Sequence, residues 1–259
     1  MSSGPEPPGR GLLDAKRVVV TAAAGTGIGS AVAKRCLIEG AQVLVSDIHE
    51  RRLSETADRL ESETGNRPLT EICNVTVEKD VEALVAAAIG GFGGIDVMMN
   101  NAGLGGTVDL VDMTDEQWNA VMGVTLEGTM RCTRAVLRHM IEAKIKGAIV
   151  NNASVVGWRA QRGQCHYAAA KAGVMALTRC SAIEAAEHGI RVNAVVPSIA
   201  MHPFLAKVTD DALLDELSKS EAFGRAAEPW EVANVMVFLA SDLSTYMTGE
   251  VISVSSQHP

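Results

Sequence analysis

Tyr167 and Lys171 bracket the stretch Tyr167-Ala168-Ala169-Ala170-Lys171, a phenol and an ammonium four residues apart. At 3.6 residues per turn they share one face of a helix. An ammonium beside a phenol favours the phenolate and lowers an ionisation that otherwise lies near pH ~10. Tyr167 is therefore a candidate general acid/base. This spacing alone describes many surface pairs. Ser154, thirteen residues upstream and just after an apolar run, changes its weight. A hydroxyl at the carboxyl end of a strand faces the crevice in which open α/β sheets bind their ligands.

A second group of residues suits a dinucleotide. The apolar run Arg17-Val18-Val19-Val20-Thr21 leads into Ala22-Ala23-Ala24-Gly25-Thr26-Gly27-Ile28-Gly29 and then a helical pattern. Gly25, Thr26, Gly27, Ile28 and Gly29 give the tight turn and close backbone approach that a pyrophosphate needs, at the positive end of a helix. A plain tight turn is the ordinary alternative; the strand before the cluster and the helix after it favour the binding reading. Asp47 ends the next strand, twenty residues past Gly27. A carboxylate there accepts from an adenosine ribose hydroxyl and repels a 2′-phosphate, which favours NAD over NADP. Asp47 as a helix N-cap is the alternative. Arg51 and Arg52 follow closely and would reach a phosphate if they turned inward, although a solvated helix start is their simpler reading.

The elements that must position these residues alternate along the chain. Strands are expected at 17–21, 42–46, 68–73, 96–100, 148–151, 190–196 and 250–254. Helices are expected at 27–39, 50–63, 77–89, 115–142, 164–187 and 229–240. Thr114 with Gln117 forms a capping-box pattern, and Pro229 stands at a first helical position. Continuous apolar strands separated by helices imply parallel pairing through right-handed crossovers. The expectation is one Rossmann-like, doubly wound, seven-stranded parallel sheet with helices on both faces, a single domain over 12–259. Residues 1–11, rich in Pro and Gly, are expected to form a loose tail. The irregular stretch 198–224 is expected to form a substrate lid, with a surface helix pair as the alternative.

Composition bounds the rest. The 259 residues are 47% hydrophobic, 21% charged and only 3% aromatic, enough for a large core and too apolar for a disordered chain. A net charge of −8 argues against nucleic acid or an anionic membrane as the main partner. Five widely spaced cysteines without a CxxC argue against a disulfide framework or a zinc site and suit a reducing compartment. No signal-peptide pattern and no bilayer-length apolar run is seen, so a cytoplasmic location is expected.

Taken in order, these fragments resemble the short-chain dehydrogenase/reductase family, in its shorter single-domain branch. The resemblance runs from Gly11 to Val254. Asn100-Asn101-Ala102-Gly103 is similar to the family's NNAG and Asp96 to the acidic residue opening that strand. Cys73-Asn74-Val75 falls where an adenine-contacting segment lies. Gly189-Ile190-Arg191-Val192-Asn193 with Pro197, then Phe238-Leu239-Ala240-Ser241-Asp242 and Thr248-Gly249, complete the pattern. The resemblance implies proton exchange at Tyr167, a ribose contact at Lys171 that also depresses the Tyr167 ionisation, and a hydrogen bond from Ser154 to the reacting oxygen. It implies cofactor contacts from Asn74, Val75, Asn101, Ala102, Gly103, Pro197 and Ile199. Substrate contacts are expected among Arg159, Arg162, His166 and His202, with ordinary packing as the alternative for each, and a homotetramer is expected.

The sequence departs from the family in four places. The glycine loop is one residue longer and has Ala22 or Ala23 in place of its first glycine. Thr125 stands at the family's catalytic Asn, which bends the helix and orders a relay water; a threonine there could back-bond within the helix. Pro197-Ser198 and His202 stand in PGxxxT, and Asn74 replaces an Asp. The long loop, Thr125 and Pro197-Ser198 also resemble an actinobacterial subgroup of steroid-ring degradation enzymes acting on bicyclic hydroxyacyl-CoA intermediates. A CoA thioester would need local cations, and Arg159, Arg162, Lys207 and Arg225 are the candidates. The implied activity is NAD(H)-dependent interconversion of a secondary alcohol and a ketone. A 3-oxoacyl-thioester reductase of fatty acid metabolism and a catalytically silent dinucleotide-binding regulatory protein are the alternatives.

Overall fold

Four-residue runs such as Arg17-Val18-Val19-Val20 are too short for helices and too apolar for edges, so they pair in the interior. In a computed structural model, which describes residues 3–201, 215 and 218–256, the elements are β1 (Arg17–Val20), α1 (Ile28–Ile38), β2 (Gln42–Asp47), α2 (Glu50–Thr64), β3 (Leu69–Ile72), α3 (Glu78–Phe92) and β4 (Val97–Asn100). They continue with α4 (Asp115–Met122), α5 (Gly128–Glu142), β5 (Ala148–Asn152), α6 (Cys165–Ala186), β6 (Arg191–Pro197), α7 (Pro229–Ala240) and β7 (Val251–Val254). The strands form one sheet in the order β3-β2-β1-β4-β5-β6-β7, and every pairing is parallel.

The two-residue period of a strand divides the core. Val18, Val20, Val43, Val45, Val97 and Met99 face α1 and α7. Their neighbours Val19, Leu44 and Met98 face the opposite layer with Cys132, Val136 and Met140 of α5. Strand order reverses between β1 and β4, and there the loops after both strands diverge into a crevice. An Arg17–Asp96 pair closes the opposite end of those strands, with Nε–Oδ2 and Nη2–Oδ1 distances of 2.7 Å. Burial alone would raise the Asp96 ionisation, but the guanidinium and the Arg17 amide hold it below the usual carboxylate range.

The 115–142 segment is not one helix. Residues 123–127 form a π-helical turn between α4 and α5. The Thr114–Gln117 capping box and Pro229 at the start of α7 are both present. Within the N-terminal stretch expected to be loose, residues 6–10 make defined contacts. Glu39 is fully buried and accepts from the amides of Arg10 and Leu12 at 2.8 and 2.9 Å. Arg35 pairs with Glu39 and donates to the carbonyls of Pro7 and Pro8. Lys34 reaches Glu6 at 3.2 Å. Most of the 198–224 lid region, including His202, Phe204, Leu205 and Lys207, lies outside the described residues. Its flanks are anchored: Ala200 bridges Ala227, and buried Glu221 accepts from the amide and hydroxyl of Ser256 at 3.1 Å.

Candidate active site

The glycine loop runs from the end of β1 to the N-terminus of α1. Ala22, one of the two candidates for the place of the missing first glycine, has a left-handed φ of 50°; an alanine adopts it at a cost of about 1–2 kcal/mol. Gly29 is required sterically. A Cβ there would lie 2.4 Å from both the Ala22 carbonyl oxygen and Asn101 Nδ2. Gly27 caps α1 without a side-chain hydrogen bond, and the first turn carries no acidic residue. The amides of Ile28 and Gly29 therefore sit at an uncompensated positive helix end, with Thr26 exposed beside them.

Helix α2 holds the extra loop residue. The Gly25 amide donates to Thr56 Oγ1 at 2.8 Å, and Arg59 Nη2 donates to the Gly25 carbonyl at 2.7 Å and to Ser30 Oγ at 2.6 Å. Both main-chain groups of Gly25 are used inside the fold, so its contribution is shape, with φ of 96°. Thr56 and Arg59 were not singled out from sequence, where they look like the polar face of a charged helix. The lengthened loop was the available signal, because its inserted peptide group needs partners. Asp47 sits at the end of β2, where its carboxylate accepts from the Ala24 amide at 3.3 Å and the His49 amide at 3.1 Å. Partial burial raises its ionisation, against the pull of the Ala24 amide and the Arg52 charge. Asp47 thus joins the loop to the start of α2. Arg51 lies along the exposed face of α2, paired with Glu55.

The loop after β3 closes on itself, with Asn74 Oδ1 accepting from the Thr76 amide at 3.0 Å and hydroxyl at 2.8 Å. Val75 is buried against Gly128, where a Cβ would come within 2.6 Å of it. After β4, the Thr21 hydroxyl accepts from the amides of Asn101 and Ala102 at 3.0 and 3.1 Å. Gly103 faces Lys171, with 3.4 Å between Nζ and the position of a Cβ. Pro197 ends β6, and the Ile199 carbonyl accepts from the Ala227 amide at 2.8 Å. The residues expected to line one dinucleotide cleft are therefore gathered at the carboxyl ends of β1, β2, β3, β4 and β6.

Ser154, Tyr167 and Lys171 meet at the mouth of β5. Ser154 Oγ accepts from the Val156 amide at 3.3 Å, which orients it, and its hydroxyl lies near enough to the Tyr167 phenol to favour ionisation of that group. The Lys171 ammonium lies 5.5 Å from the centre of the Tyr167 ring and donates to the Asn152 carbonyl at 2.6 Å. Burial raises the Tyr167 ionisation, against the pull of the Ser154 hydroxyl, in place of the lowering expected from the sequence, and the Lys171 ammonium is engaged by the Asn152 carbonyl. Burial pushes the lysine itself down to about 8.

Thr125 lies in the π-turn and is fully buried. It does not back-bond within its helix. Its hydroxyl donates to the Leu104 carbonyl at 3.1 Å and accepts from the Leu104 amide at 3.0 Å, so it pins the loop that follows Gly103. Its own carbonyl accepts from the Thr129 hydroxyl at 2.8 Å. Of the substrate candidates, His166 is 2% exposed beneath the same loop, 3.4 Å from the place of a Gly106 Cβ, and burial lowers its ionisation. Arg162 forms a two-point exposed pair with Asp109 at 2.6 and 3.2 Å. Arg225 pairs in the same way with Glu231 at 2.7 Å. Arg159 is exposed and has no ion-pair partner among the described residues.

All five cysteines are free. Among the described residues no cluster could hold a metal ion, and no helix is long and apolar enough to cross a membrane. A family model described as Enoyl-(Acyl carrier protein) reductase matches residues 22–256. A Mycobacterium tuberculosis protein, (5R,7aS)-5-hydroxy-7a-methyl-1-oxo-2,3,5,6,7,7a-hexahydro-1H-indene-carboxyl-CoA reductase, is 61% identical over 251 residues, 97% of this chain and 96% of that protein. A 3-oxoacyl-[acyl-carrier-protein] reductase from Thermotoga maritima is 39% identical over 242 residues, 93% of this chain and 97% of that protein. The crystal structure of a short chain dehydrogenase from Mycobacterium smegmatis superimposes with a TM-score of 0.89 at 56% identity, covering 100% of this chain and 99% of that one.

Proposed function

The chain belongs to the short-chain dehydrogenase/reductase family, and from that premise we propose that it interconverts a secondary alcohol and a ketone on a bicyclic, CoA-linked ring intermediate of steroid breakdown, with NAD(H) as its cofactor. It is an oxidoreductase of a family that uses a nicotinamide dinucleotide. The observation that carries the reaction is the Ser154–Tyr167–Lys171 group at the mouth of β5, beside a glycine loop and an uncapped helix N-terminus. The substrate class rests on the 61% identical reductase. Identity of 39% to the acyl-carrier-protein reductase supports family membership more than that substrate.

The residues fit a dinucleotide. Gly29 occupies a place that a Cβ would crowd, and the α1 amides are free of side-chain caps. The positive helix end and the loop amides would hold the pyrophosphate, Asp47 an adenosine ribose, and Lys171 with Tyr167 the second ribose. Bound there, the cofactor supplies the hydride exchange at the substrate carbon. Tyr167 passes a proton to or from the substrate oxygen. Ser154, oriented by the Val156 amide, hydrogen-bonds that oxygen and stabilises its developing charge. Because burial keeps the Tyr167 phenol protonated in the free protein, it is ready as an acid for ketone reduction at neutral pH. Alcohol oxidation needs the phenolate, and therefore a further positive charge near the ring.

Among the described residues considered for a CoA phosphate, Arg159 is the best placed, since Arg162 and Arg225 are engaged. A homotetramer built on α5 and α6 is the assembly implied by the family, and the groove between these helices, lined by Leu137, Ile141 and Leu177 together with Arg134, Arg138 and Glu184, lies on that face. The decisive experiment supplies the purified protein with the bicyclic hydroxyacyl-CoA, the free acid and a 3-oxoacyl thioester, each with NAD(H) and NADP(H). Turnover of the CoA substrate with NAD(H) at least tenfold above the other combinations is expected. Faster turnover of the 3-oxoacyl thioester with NADPH would replace this reading by the fatty-acid one.

A further inference from the structure

Asn151 and Asn152 end β5, and the pleat sends their side chains to opposite faces. Asn151 faces α5 and α6, donating to Thr178 at 2.9 Å and accepting from Asn100 at 2.8 Å. Asn152 faces the glycine loop. Its Nδ2 donates to Asn101 Oδ1 at 2.9 Å, and Asn101 Nδ2 donates in turn to the carbonyls of Ala22 and Thr21 at 3.0 and 3.3 Å. Two carbonyls can only accept, so the Asn101 amide cannot be reversed. Its oxygen must face Asn152, which fixes the Asn152 amide as well and aims its oxygen away from Asn101. That oxygen is buried and has no hydrogen-bond partner among the described residues. The same residue's carbonyl holds Lys171 at 2.6 Å.

A buried acceptor without a donor is unfavourable, and a native site retains one where a ligand satisfies it. Asn100 Oδ1 is also unpartnered, but its amide is enclosed between α5 and β5 by Thr133 and Asn151. Asn152 instead stands between the root of the glycine loop and Lys171, two residues before Ser154. We propose that Asn152 Oδ1 accepts a hydrogen bond from an O–H or N–H of the cofactor's nicotinamide riboside, which makes Asn152 a binding residue as well as a link between the glycine loop and Lys171. This deepens the nicotinamide-dependent reading above and rests on it.

The test compares equilibrium binding of NADH, followed by its fluorescence, with binding of ADP, followed by calorimetry. ADP keeps the adenosine half and lacks the nicotinamide riboside. Asn152→Leu removes the acceptor at similar volume, and Asn152→Ser is a smaller variant should the leucine impair folding. NADH binding is expected to weaken by about tenfold or more, roughly 1.4 kcal/mol, while ADP binding stays within about twofold. Unchanged NADH affinity in a folded variant would overturn the proposal. So would equal losses for NADH and ADP, which would mean that the substitution acts through Asn101 on the glycine loop alone. A wild-type protein that binds ADP but not NADH would instead refute the nicotinamide-dependent reading itself.

Discussion

Replacing Lys171 with methionine should make the free protein more stable at neutral pH and inactive. Lys171 is 3% exposed, and burial lowers its ionisation from 10.5 to about 8. Below the folded value the residue is charged in both folded and unfolded chains, and the buried charge costs the fold about 3 kcal/mol at ~1.4 kcal/mol per pH unit. Methionine has a similar length and no charge to desolvate. Against that gain stands the hydrogen bond to the Asn152 carbonyl, worth about 1–2 kcal/mol. A net gain of about 1–2 kcal/mol corresponds to a rise in Tm of roughly 2–8 °C for a chain of this size. The gain must also depend on pH. The unfolded lysine binds a proton that the folded one has lost between about 8 and 10.5, so the wild type recovers stability as pH rises through that window. Melting curves of Lys171→Met and wild type, without cofactor, at pH 7 and near pH 10 read the difference directly, because other titrating groups cancel. A variant melting below wild type at pH 7, or a gap of constant size across the window, would refute the assignment of Lys171 as a buried cation held at a cost.

Tyr167→Phe should abolish turnover while NADH affinity by fluorescence changes less than about threefold. In the wild type, the ketone-reduction rate should stay flat from pH 6 to 8 while alcohol oxidation climbs, since burial raises the Tyr167 ionisation. Gly29→Ala forces a Cβ to within 2.4 Å of a backbone oxygen, and a loss of about 3 kcal/mol or more with failure of dinucleotide binding is expected by thermal melting and calorimetry. Thr56→Val strands the Gly25 amide; the KM for the dinucleotide should rise about tenfold with kcat within about twofold, as steady-state kinetics would report. Thr125→Asn, which can keep both bonds to Leu104, should hold kcat within about tenfold, whereas Thr125→Val should lower it further and reduce Tm.

The alternation of strands and helices was legible because each buried strand is a short continuous apolar run and two of the helices, α4 and α7, carry their own start signals. The Ser154, Tyr167 and Lys171 positions were legible for a related reason: spacing decides which residues share a face or follow a strand. Spacing does not decide where a flexible side chain ends. Lys171 was expected to act on the Tyr167 ring, yet its four-carbon stem carries the charge to the Asn152 carbonyl. Arg162 and Arg225 were read as cations open to a phosphate, but their carboxylate partners Asp109 and Glu231 come from other segments, and only the folded chain brings them together. A bend at Thr125 was expected only through the family resemblance, because the π-turn residues 123–127 continue a good helical pattern; in the fold Thr125 bonds the main chain of Leu104, twenty-one residues away in sequence. The roles of Thr56 and Arg59 were hidden in the same way, since each depends on a main-chain group of the glycine loop, and that of Asn152 was hidden because it depends on the side chain of Asn101.

That π-turn also makes this stretch a phase shifter between two helices. A residue added to a helix rotates everything beyond it by about 100° and advances it by about 1.5 Å. Here the added residue lets Val121 and Thr125 point inward on one azimuth while Cys132, Val136 and Met140 meet the sheet on another. Substitutions within 123–127 act on the single contact they change. A one-residue deletion there would restore a regular α-helix and turn the apolar stripe of α5 off β4 and β5, so the sheet would lose a covering layer. The segment therefore tolerates changes of side chain far better than changes of length, and a shortened homologue would have to recover the lost rotation elsewhere along α5.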